Sequence, residues 1–334
     1  MSYYDQLVEA VVDGGYLPEF LLRRGIRAQL QDRINIIAST SLEQAYETKM
    51  RYVDSLRRQP IAIETAKATS STTSCCLYPK GTETLAQAEM AMLELYVERA
   101  GLRDGMKVFD LGCGWGSLSL YLAERFAQSE IVAFSNSTTQ KAFIDAQAAG
   151  KGLRNLRVVT GDVATFAFRG SEHEGVYDRV LSVELFEHMK NYERLLAKVA
   201  GLLRPGAGAK LFVHLFCHRS TPYDFESGWM TQHFFTGGTM PSADLLHFFQ
   251  RDLRLERQWW VNGRHYARTC NEWLRTMERN RGAIWPHLEA TYGVGFETGR
   301  WFRRWQVFYM ACAELFAWEG GECWGVGHYL FEKP

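Results

Sequence analysis

Apolar residues follow two spacings along this chain, which alternate from residue 106 onward. Short apolar runs, which predict buried strands, alternate with stretches in which apolar residues recur every three or four positions, which predict helices. Alternation of this kind is typical of a parallel sheet with right-handed crossovers. The predicted strands are 106–111, 131–135, 156–159, 177–183 and 210–216, and the predicted helices are about 117–127, 138–149 and 190–203. The sequence therefore predicts an α/β fold with a doubly wound, Rossmann-like sheet.

Helical spacing also dominates the region before the predicted sheet. Residues 3–60 are charged and predicted to be helical, and Thr84–Ala100 is a further predicted helix. Residues 66–75 between them are small and polar, as in a linker. We therefore predict an N-terminal helical cap and linker over residues 1–100.

The predicted helix within residues 17–33 has an apolar and a basic side. A solvated helix face explains this pattern, and a helix lying on a membrane surface is the alternative. The apolar positions are Phe20, Leu21, Ile26 and Leu30, and the basic ones are Arg23, Arg24, Arg27 and Arg33.

Aromatic residues dominate the region after the predicted sheet. Nine of the ten tryptophans lie at or after Trp229, and residues 325–333 predict a last strand. We therefore predict a second domain over residues 101–334, in which a doubly wound sheet carries aromatic-rich C-terminal helical insertions.

A glycine turn between the first predicted strand and the next helix is the strongest motif. Asp110 precedes three glycines at alternate positions, Gly112, Gly114 and Gly116. Glycines let a ligand approach the backbone, and the turn would place it between a strand end and a helix N-terminus. The spacing differs from the G-x-G-x-x-G of dinucleotide folds, whose next strand ends in an acid. Here that strand ends in Ser135-Asn136, which favours S-adenosylmethionine over NAD.

Polar residues at the ends of three successive strands are candidate ligands of this cofactor. The Asp110 carboxylate would orient the turn or accept from the cofactor ammonium group. Side chains after the second strand would bond the ribose, and a carboxylate after the third would accept the adenine amine. The cofactor candidates beyond the glycine turn are Ser135, Asn136, Gln140, Asp162 and Val163.

Two carboxylates and an imidazole follow the fourth predicted strand. Glu184 and His188 are four residues apart and would share a face if the segment is helical, with Glu187 beside them. Alkyl amines have a pKa near ~10 and must lose a proton before they accept a methyl group, and a Glu–His pair can take that proton. His214 interrupts the apolar fifth strand at the same sheet edge and is a further catalytic candidate.

The composition of the chain argues against several classes of protein. Lys and Arg total 38, as do Asp and Glu, so no net field attracts nucleic acid. We find no signal peptide and no run long enough to span a membrane. The seven cysteines are odd in number and scattered, which predicts reduced thiols in the cytoplasm, with neither a disulfide framework nor a metal site.

Longer blocks resemble a known family over essentially the whole chain. They are Asp110–Ser117, Phe186–Tyr192, Phe234–Ser242, Val261–Ala267 and Gly327–Phe331. They resemble the plant coclaurine N-methyltransferases, within the wider cyclopropane fatty-acid synthase family. The resemblance implies a doubly wound methyltransferase fold that uses S-adenosylmethionine.

Several residue roles are implied by the resemblance alone. Glu184, Glu187 and His188 match the amine-binding and base residues of the family, and Ser74 matches a cofactor contact. Cys75, together with Glu187 and His214, matches positions that hold bicarbonate in the lipid-modifying branch. Cys312 matches a cysteine once proposed as catalytic, which we interpret as a buried helix residue.

Two positions depart from the family pattern. Between the Glu64–Ala68 and Ser74–Cys76 segments, relatives carry a longer stretch that covers the methyl donor, whereas this chain has only the polar linker. In addition, Thr73 stands where the lipid branch usually has a tyrosine.

The leading hypothesis is N-methylation of a small aromatic or benzylisoquinoline-like amine by an enzyme that does not bind nucleic acid. One alternative is methyl or methylene transfer to an unsaturated lipid, which would involve membrane contact. A second is a non-catalytic protein that binds the cofactor, because of the shortened cap. A homodimer is left open.

Overall fold

The computed structural model describes residues 3–14, 19–38, 41–62, 74–206, 208–225, 228–234 and 237–334. The chain divides into two compact units. The larger comprises Lys49–Asp224, Gly237–Val261 and Val326–Pro334, and the smaller comprises Met1–Thr48, Phe225–Thr236 and Asn262–Gly325. The predicted division into a helical cap with linker over residues 1–100 and a second domain over residues 101–334 stays a prediction.

A seven-stranded sheet forms the centre of the larger unit, in the order β3-β2-β1-β4-β5-β9-β8. Its strands are β1 (Lys107–Leu111), β2 (Glu130–Ser135), β3 (Leu156–Thr160), β4 (Arg179–Val183), β5 (Lys210–His218), β8 (Arg254–Asn262) and β9 (Trp324–Glu332). A separate pair is formed by β6 (Tyr223–Asp224) and β7 (Thr239–Met240). The predicted strands and the doubly wound α/β class are confirmed, with boundaries shifted by one or two residues.

The four pairings among β1 to β5 are parallel, so their carboxyl ends lie along one edge. Leu111 at the end of β1 pairs with Phe134, and Val183 at the end of β4 pairs with His214. The strand order reverses between β1 and β4, and ligands of open α/β sheets bind at such a switch point. The glycine turn and the acidic segment therefore leave the sheet from adjacent strands.

Helices connect and cover these strands as their apolar spacing predicts. They are α4 (Leu85–Ala100), α5 (Ser117–Arg125), α6 (Thr138–Gly150) and α7 (Tyr192–Leu202). Thr84 and Gln87 form a capping box at the start of α4, and Gly101, with a φ of 61°, ends it. The ring of Tyr96 on α4 packs against that of Phe212 on β5, with 5.6 Å between the ring centroids. This contact holds the C-terminal half of α4 against the sheet.

The smaller unit contains the remaining helices. They are α1 (Tyr3–Gly14), α2 (Glu19–Ala38), α8 (Trp229–His233), α9 (Arg264–Arg279), α10 (Arg281–Tyr292) and α11 (Phe296–Ala317), while α3 (Leu42–Arg58) runs across the unit boundary. Aromatic rings pack between them, with Phe234 lying 4.5 Å from Phe308 and 4.9 Å from Trp305 between ring centroids. Phe235 lies outside the described residues. The C-terminal insertions are thus helical and aromatic, as predicted.

The predicted apolar side of α2 is partly wrong. Leu22 and Ile26 are buried, whereas Phe20 is 67% exposed and Leu21 is 41% exposed. Arg23, predicted on the solvated side, instead donates to the buried Glu314 carboxylate at 3.0 Å. The inward side of this helix therefore combines the apolar Leu22 and Ile26 with an ion pair from Arg23 to a buried acid. In the described ranges, no helix combines the length and the hydropathy that a bilayer crossing needs.

Candidate active site

Two glycines of the turn after β1 occupy conformations that other residues rarely adopt. Gly112 and Gly116 have φ angles of 86° and 85°. A Cβ atom would lie 3.2 Å from Leu185 at Gly112, and 2.6 Å from Ile144 at Gly116. Gly116 is also the N-cap residue of α5 and supplies no side-chain cap, so the first amides of that helix remain available to a ligand.

Asp110 holds this turn against α5. Its side chain is 1% exposed and accepts a hydrogen bond from the Ser119 hydroxyl at 2.5 Å. Burial raises the pKa of Asp110 to about 6, although the bond from Ser119 acts in the opposite direction. The bond from Ser119 is compatible with the role of orienting the turn, and both predicted roles of Asp110 stay predictions.

The ends of β2 and β3 carry the next predicted cofactor residues. The Ser135 hydroxyl donates to Gln140 Oε1 at 2.6 Å and accepts from the Ser137 amide at 3.0 Å, so it builds its own turn. Asn136 beside it is exposed. Asp162 Oδ1 accepts from the Ala164 amide at 2.8 Å.

Val163 follows Asp162, and its side chain packs in the core, so that only its backbone can contact a ligand. The contacts of these residues after β2 and β3 with a cofactor stay predictions.

A cavity lies between this turn and α4. Its lining includes the predicted residues Ser74, Asp110, Gly112 and Gly114. Trp115 also lines it, and its indole Nε1 is buried without a hydrogen-bond partner in the described part of the chain. A glycine cradle, an open helix N-terminus and an unused N–H donor suit a ligand that is polar and zwitterionic, and these residues therefore fit S-adenosylmethionine.

Glu184 lies where β4 ends, with a φ of 51° that is rare outside glycine. Its amide donates to the carbonyl of His214 at 2.9 Å, which fixes this conformation. Its Oε1 atom lies 3.3 Å from Ser74 Oγ, 3.4 Å from His214 Nε2 and 3.5 Å from the Cys75 amide. Three polar groups therefore surround one carboxylate oxygen.

Glu187 is completely buried in the turn that follows. Its Oε1 accepts from the Phe216 amide at 3.1 Å, while Oε2 has no hydrogen-bond partner among the described residues. Burial, and then the charge of Glu184, raise the pKa of Glu187 well above its usual range. Burial beside Glu184 therefore disfavours a second negative charge at this position.

His188 is half-buried at the end of the same turn. Burial lowers its pKa, and the charge of Glu184 offsets part of that effect. The expected helical pairing of Glu184 with His188 is wrong, because only the 3-10 turn Phe186–His188 forms and Glu184 precedes it in a left-handed conformation. The carboxylate is directed to His214 instead.

His214 is completely buried on β5 and connects four polar groups. Its Nε2 lies 3.0 Å from Ser74 Oγ, and its Nδ1 lies 3.0 Å from the Tyr96 hydroxyl and 2.9 Å from His328 Nε2. Sequence reasoning missed Tyr96, which looked like an apolar position of α4. It also missed His328, although a histidine within an apolar strand is the signal that identified His214.

Other residues of the acidic segment hold its backbone in place. The Lys190 ammonium donates to Asp224 at 2.5 Å and to Thr239 at 2.6 Å. Asn191 caps α7 through the amide of Arg194 at 3.1 Å. The segment after β4 thus contains the catalytic candidates and, directly after them, residues that hold it in place.

The family model of mycolic acid cyclopropane synthetase matches residues 64–325. The chain belongs to the mycolic acid cyclopropane synthetase family. It is 34% identical over 343 residues to (S)-coclaurine N-methyltransferase of Thalictrum flavum subsp. glaucum, a match covering 96% of this chain and 93% of the relative. Pavine N-methyltransferase of the same plant is 34% identical over 256 residues, covering 75% of this chain and 70% of the relative.

This family member is also similar to a solved structure. A crystal structure of coclaurine N-methyltransferase bound to N-methylheliamine and S-adenosylhomocysteine has a TM-score of 0.91 and 32% identity, and the match covers 98% of this chain and 99% of that one. These findings confirm the predicted family, and the chain is an S-adenosylmethionine-dependent methyltransferase. The non-catalytic alternative is therefore set aside.

Proposed function

We propose that this enzyme transfers a methyl group to the nitrogen of a small, benzylisoquinoline-like amine. Its relatives of similar length are named for such reactions. The observation that carries the proposal is the buried Glu184 carboxylate, whose charge acts on His188, an imidazole whose pKa is lowered by burial. An anion and a neutral base are what a protonated amine substrate requires.

In this proposal, Glu184, Glu187 and His188 have different roles in methyl transfer. When bound, S-adenosylmethionine supplies an electrophilic methyl group on a sulfonium sulfur. Glu184 attracts the substrate ammonium ion, and neutral His188 takes its proton, which frees the nitrogen lone pair for attack on the methyl carbon. Burial raises the pKa of Glu187 well above its usual range, which disfavours a second negative charge beside Glu184. Orientation of this kind can contribute roughly 7–11 kcal/mol to lowering a barrier.

We also propose the cofactor contacts. The amides of the glycine turn would hold the amino-acid end, with Ser74 beside them, while Asn136 and Gln140 would bond the ribose and Asp162 the adenine amine. The order of β1, β2 and β3 in the sheet supports this assignment, because their ends succeed one another along one edge. Residues 63–73, which include Thr73 and most of the shortened linker, lie outside the described residues. Closure over the cofactor, a cytoplasmic location and a homodimer all stay predictions.

Transfer to a lipid remains the second candidate. The observation that favours it is Glu187 Oε2, which is buried and lacks a hydrogen-bond partner among the described residues. The buried His214 and Cys75 lie against the neighbouring Glu184. A reaction that responds to both bicarbonate and liposomes would favour the lipid, whereas an amine reaction needs neither.

A screen of amines with methyl-labelled S-adenosylmethionine tests the proposal. Label should enter cyclic aromatic amines at nitrogen, located by mass spectrometry, and should be absent from unsaturated phospholipids in vesicles. Label in the phospholipids alone would overturn the proposed acceptor.

A further inference from the structure

We propose that Arg99 and His328 are positioning residues that fix the tautomer of His214, and thereby direct its proton towards Glu184. None of the three acts on the substrate directly in this proposal. Only the last step, from Glu184 to the amine, rests on the proposed function.

The direction of the hydrogen bonds is set at Arg99. Its Nη1 lies 2.7 Å from Nδ1 of His328, which is completely buried. A guanidinium has donors and no acceptor, so Nδ1 of His328 must accept, and the ring must carry its proton on Nε2. Burial lowers the pKa of His328 well below its usual range, and the neighbouring His214 and Arg99 lower it further, so the ring is neutral.

The tautomer of His328 determines that of His214. Nε2 of His328 lies 2.9 Å from Nδ1 of His214 and donates to it, so His214 must carry its proton on Nε2. That proton faces Ser74 Oγ at 3.0 Å and Glu184 Oε1 at 3.4 Å. Ser74 then has its own proton to donate to Glu184 at 3.3 Å. Every bond in the series points in one direction, from a permanent cation to a carboxylate.

Tyr96 is compatible with this order. Its hydroxyl lies 3.0 Å from Nδ1 of His214, whose one lone pair accepts from His328, and 3.2 Å from Ser74 Oγ, to which it can donate. Burial raises the pKa of Tyr96 well above its usual range, so it keeps its proton. A proton on Nδ1 of His214 would instead face the N–H of His328, and a buried donor without an acceptor is unfavourable.

The two site histidines therefore have different roles. His214 holds its proton on the nitrogen that faces Glu184, so it stabilises that carboxylate as a donor and does not accept a proton from the amine. His188 is left as the proton acceptor. Arg99 is itself held on the far side, where its Cζ lies 5.0 Å from the ring centroid of Trp259.

NMR spectra of the full-length enzyme, labelled with ¹⁵N-histidine, test the tautomers directly. Two-bond nitrogen–proton couplings distinguish a proton on Nδ1 from one on Nε2, and His214→Gln and His328→Gln assign the two rings. Both rings should carry the proton on Nε2 in the wild type. Arg99→Leu should abolish this preference, whereas Arg99→Lys, which also only donates, should keep it. Arg103→Leu removes an exposed arginine of the same unit and is the matched control.

Kinetics provide the second readout. We expect Arg99→Leu to raise the KM for the amine about tenfold, since Glu184 loses an oriented donor, with the Kd for S-adenosylhomocysteine changed less than about twofold. A wild-type proton on Nδ1 of His214, or unchanged tautomers in folded Arg99→Leu, would overturn the proposal. If no amine is methylated by the wild type, the proposed function fails, while the NMR result still decides this inference.

Discussion

Nε2 of His214 lies 3.4 Å from Oε1 of Glu184, although thirty positions separate the two residues along the chain, with Glu184 directly after β4 and His214 in the middle of β5. The parallel register of β4 and β5, in which Val183 pairs with His214, brings them together. The left-handed conformation of Glu184 then turns its carboxylate towards the ring. Strand register and one unusual backbone angle thus create the anionic part of the site.

Replacing His188 with asparagine should lower kcat at least tenfold, because it removes the proton acceptor. S-adenosylhomocysteine should bind with an unchanged Kd in calorimetry. The sign of the pH effect follows from the lowered pKa of His188: the imidazole stays neutral to more acidic pH, so kcat should rise through a midpoint below about 6.5 and then level off. His247→Asn, an exposed histidine outside the site, is the control. Equal kcat in the His188 variant and this control would refute the role of His188 as base.

Glu184→Gln should raise the KM for the amine by tenfold or more, because the ammonium ion loses its counter-charge. It should also move the acid limb of kcat to lower pH, since the charge of Glu184 raises the pKa of His188. Glu98→Gln neutralises an exposed carboxylate on α4 and should change neither quantity. An acid limb at the same pH in wild type and Glu184→Gln would contradict the electrostatic coupling.

Gly116→Ala should abolish measurable cofactor binding and destabilise the protein by about 1–3 kcal/mol, because a Cβ atom would meet Ile144 in addition to the strained φ. Gly105→Ala separates the two effects, since Gly105 has a φ of 84° with nothing within 4 Å of its Cβ position. Calorimetry and urea unfolding measure them. Comparable losses of binding in both variants would show that backbone strain alone explains the effect.

Asp110 should make the folded state less stable as pH rises from about 4 to 6. Its folded pKa, about 6, exceeds the ordinary value of 3.8, so the folded protein binds the proton more tightly than the unfolded chain does. Stability is therefore highest below the unfolded pKa and falls by roughly 3 kcal/mol by the time the folded group ionises. In Asp110→Asn, urea unfolding across this range should lack that decrease, and a parallel decrease in both proteins would contradict the assignment.

The strands and the glycine turn could be predicted because their signals are local. An apolar run before Asp110, three alternate glycines and a helical stretch after them specify a strand, a turn and a helix within twenty positions or so of one another. The same local reasoning failed where tertiary contacts decided the outcome. Phe20 and Leu21 lie on the exposed side of α2, whereas Arg23 pairs with the buried Glu314. Glu184 and His188 do not share a helix, because the α-helix begins only at Tyr192.

By itself, the sequence determined the strands, the glycine turn and the grouping of Glu184, Glu187 and His188. Each of these depends on residues that are close together along the chain. Only the tertiary structure decided which partners these groups have. Arg99, His214 and His328 come from three distant elements, and no spacing rule relates them. They meet because α4, β5 and β9 pack together, and the buried rings then have to satisfy their hydrogen bonds with whatever donors that packing supplies.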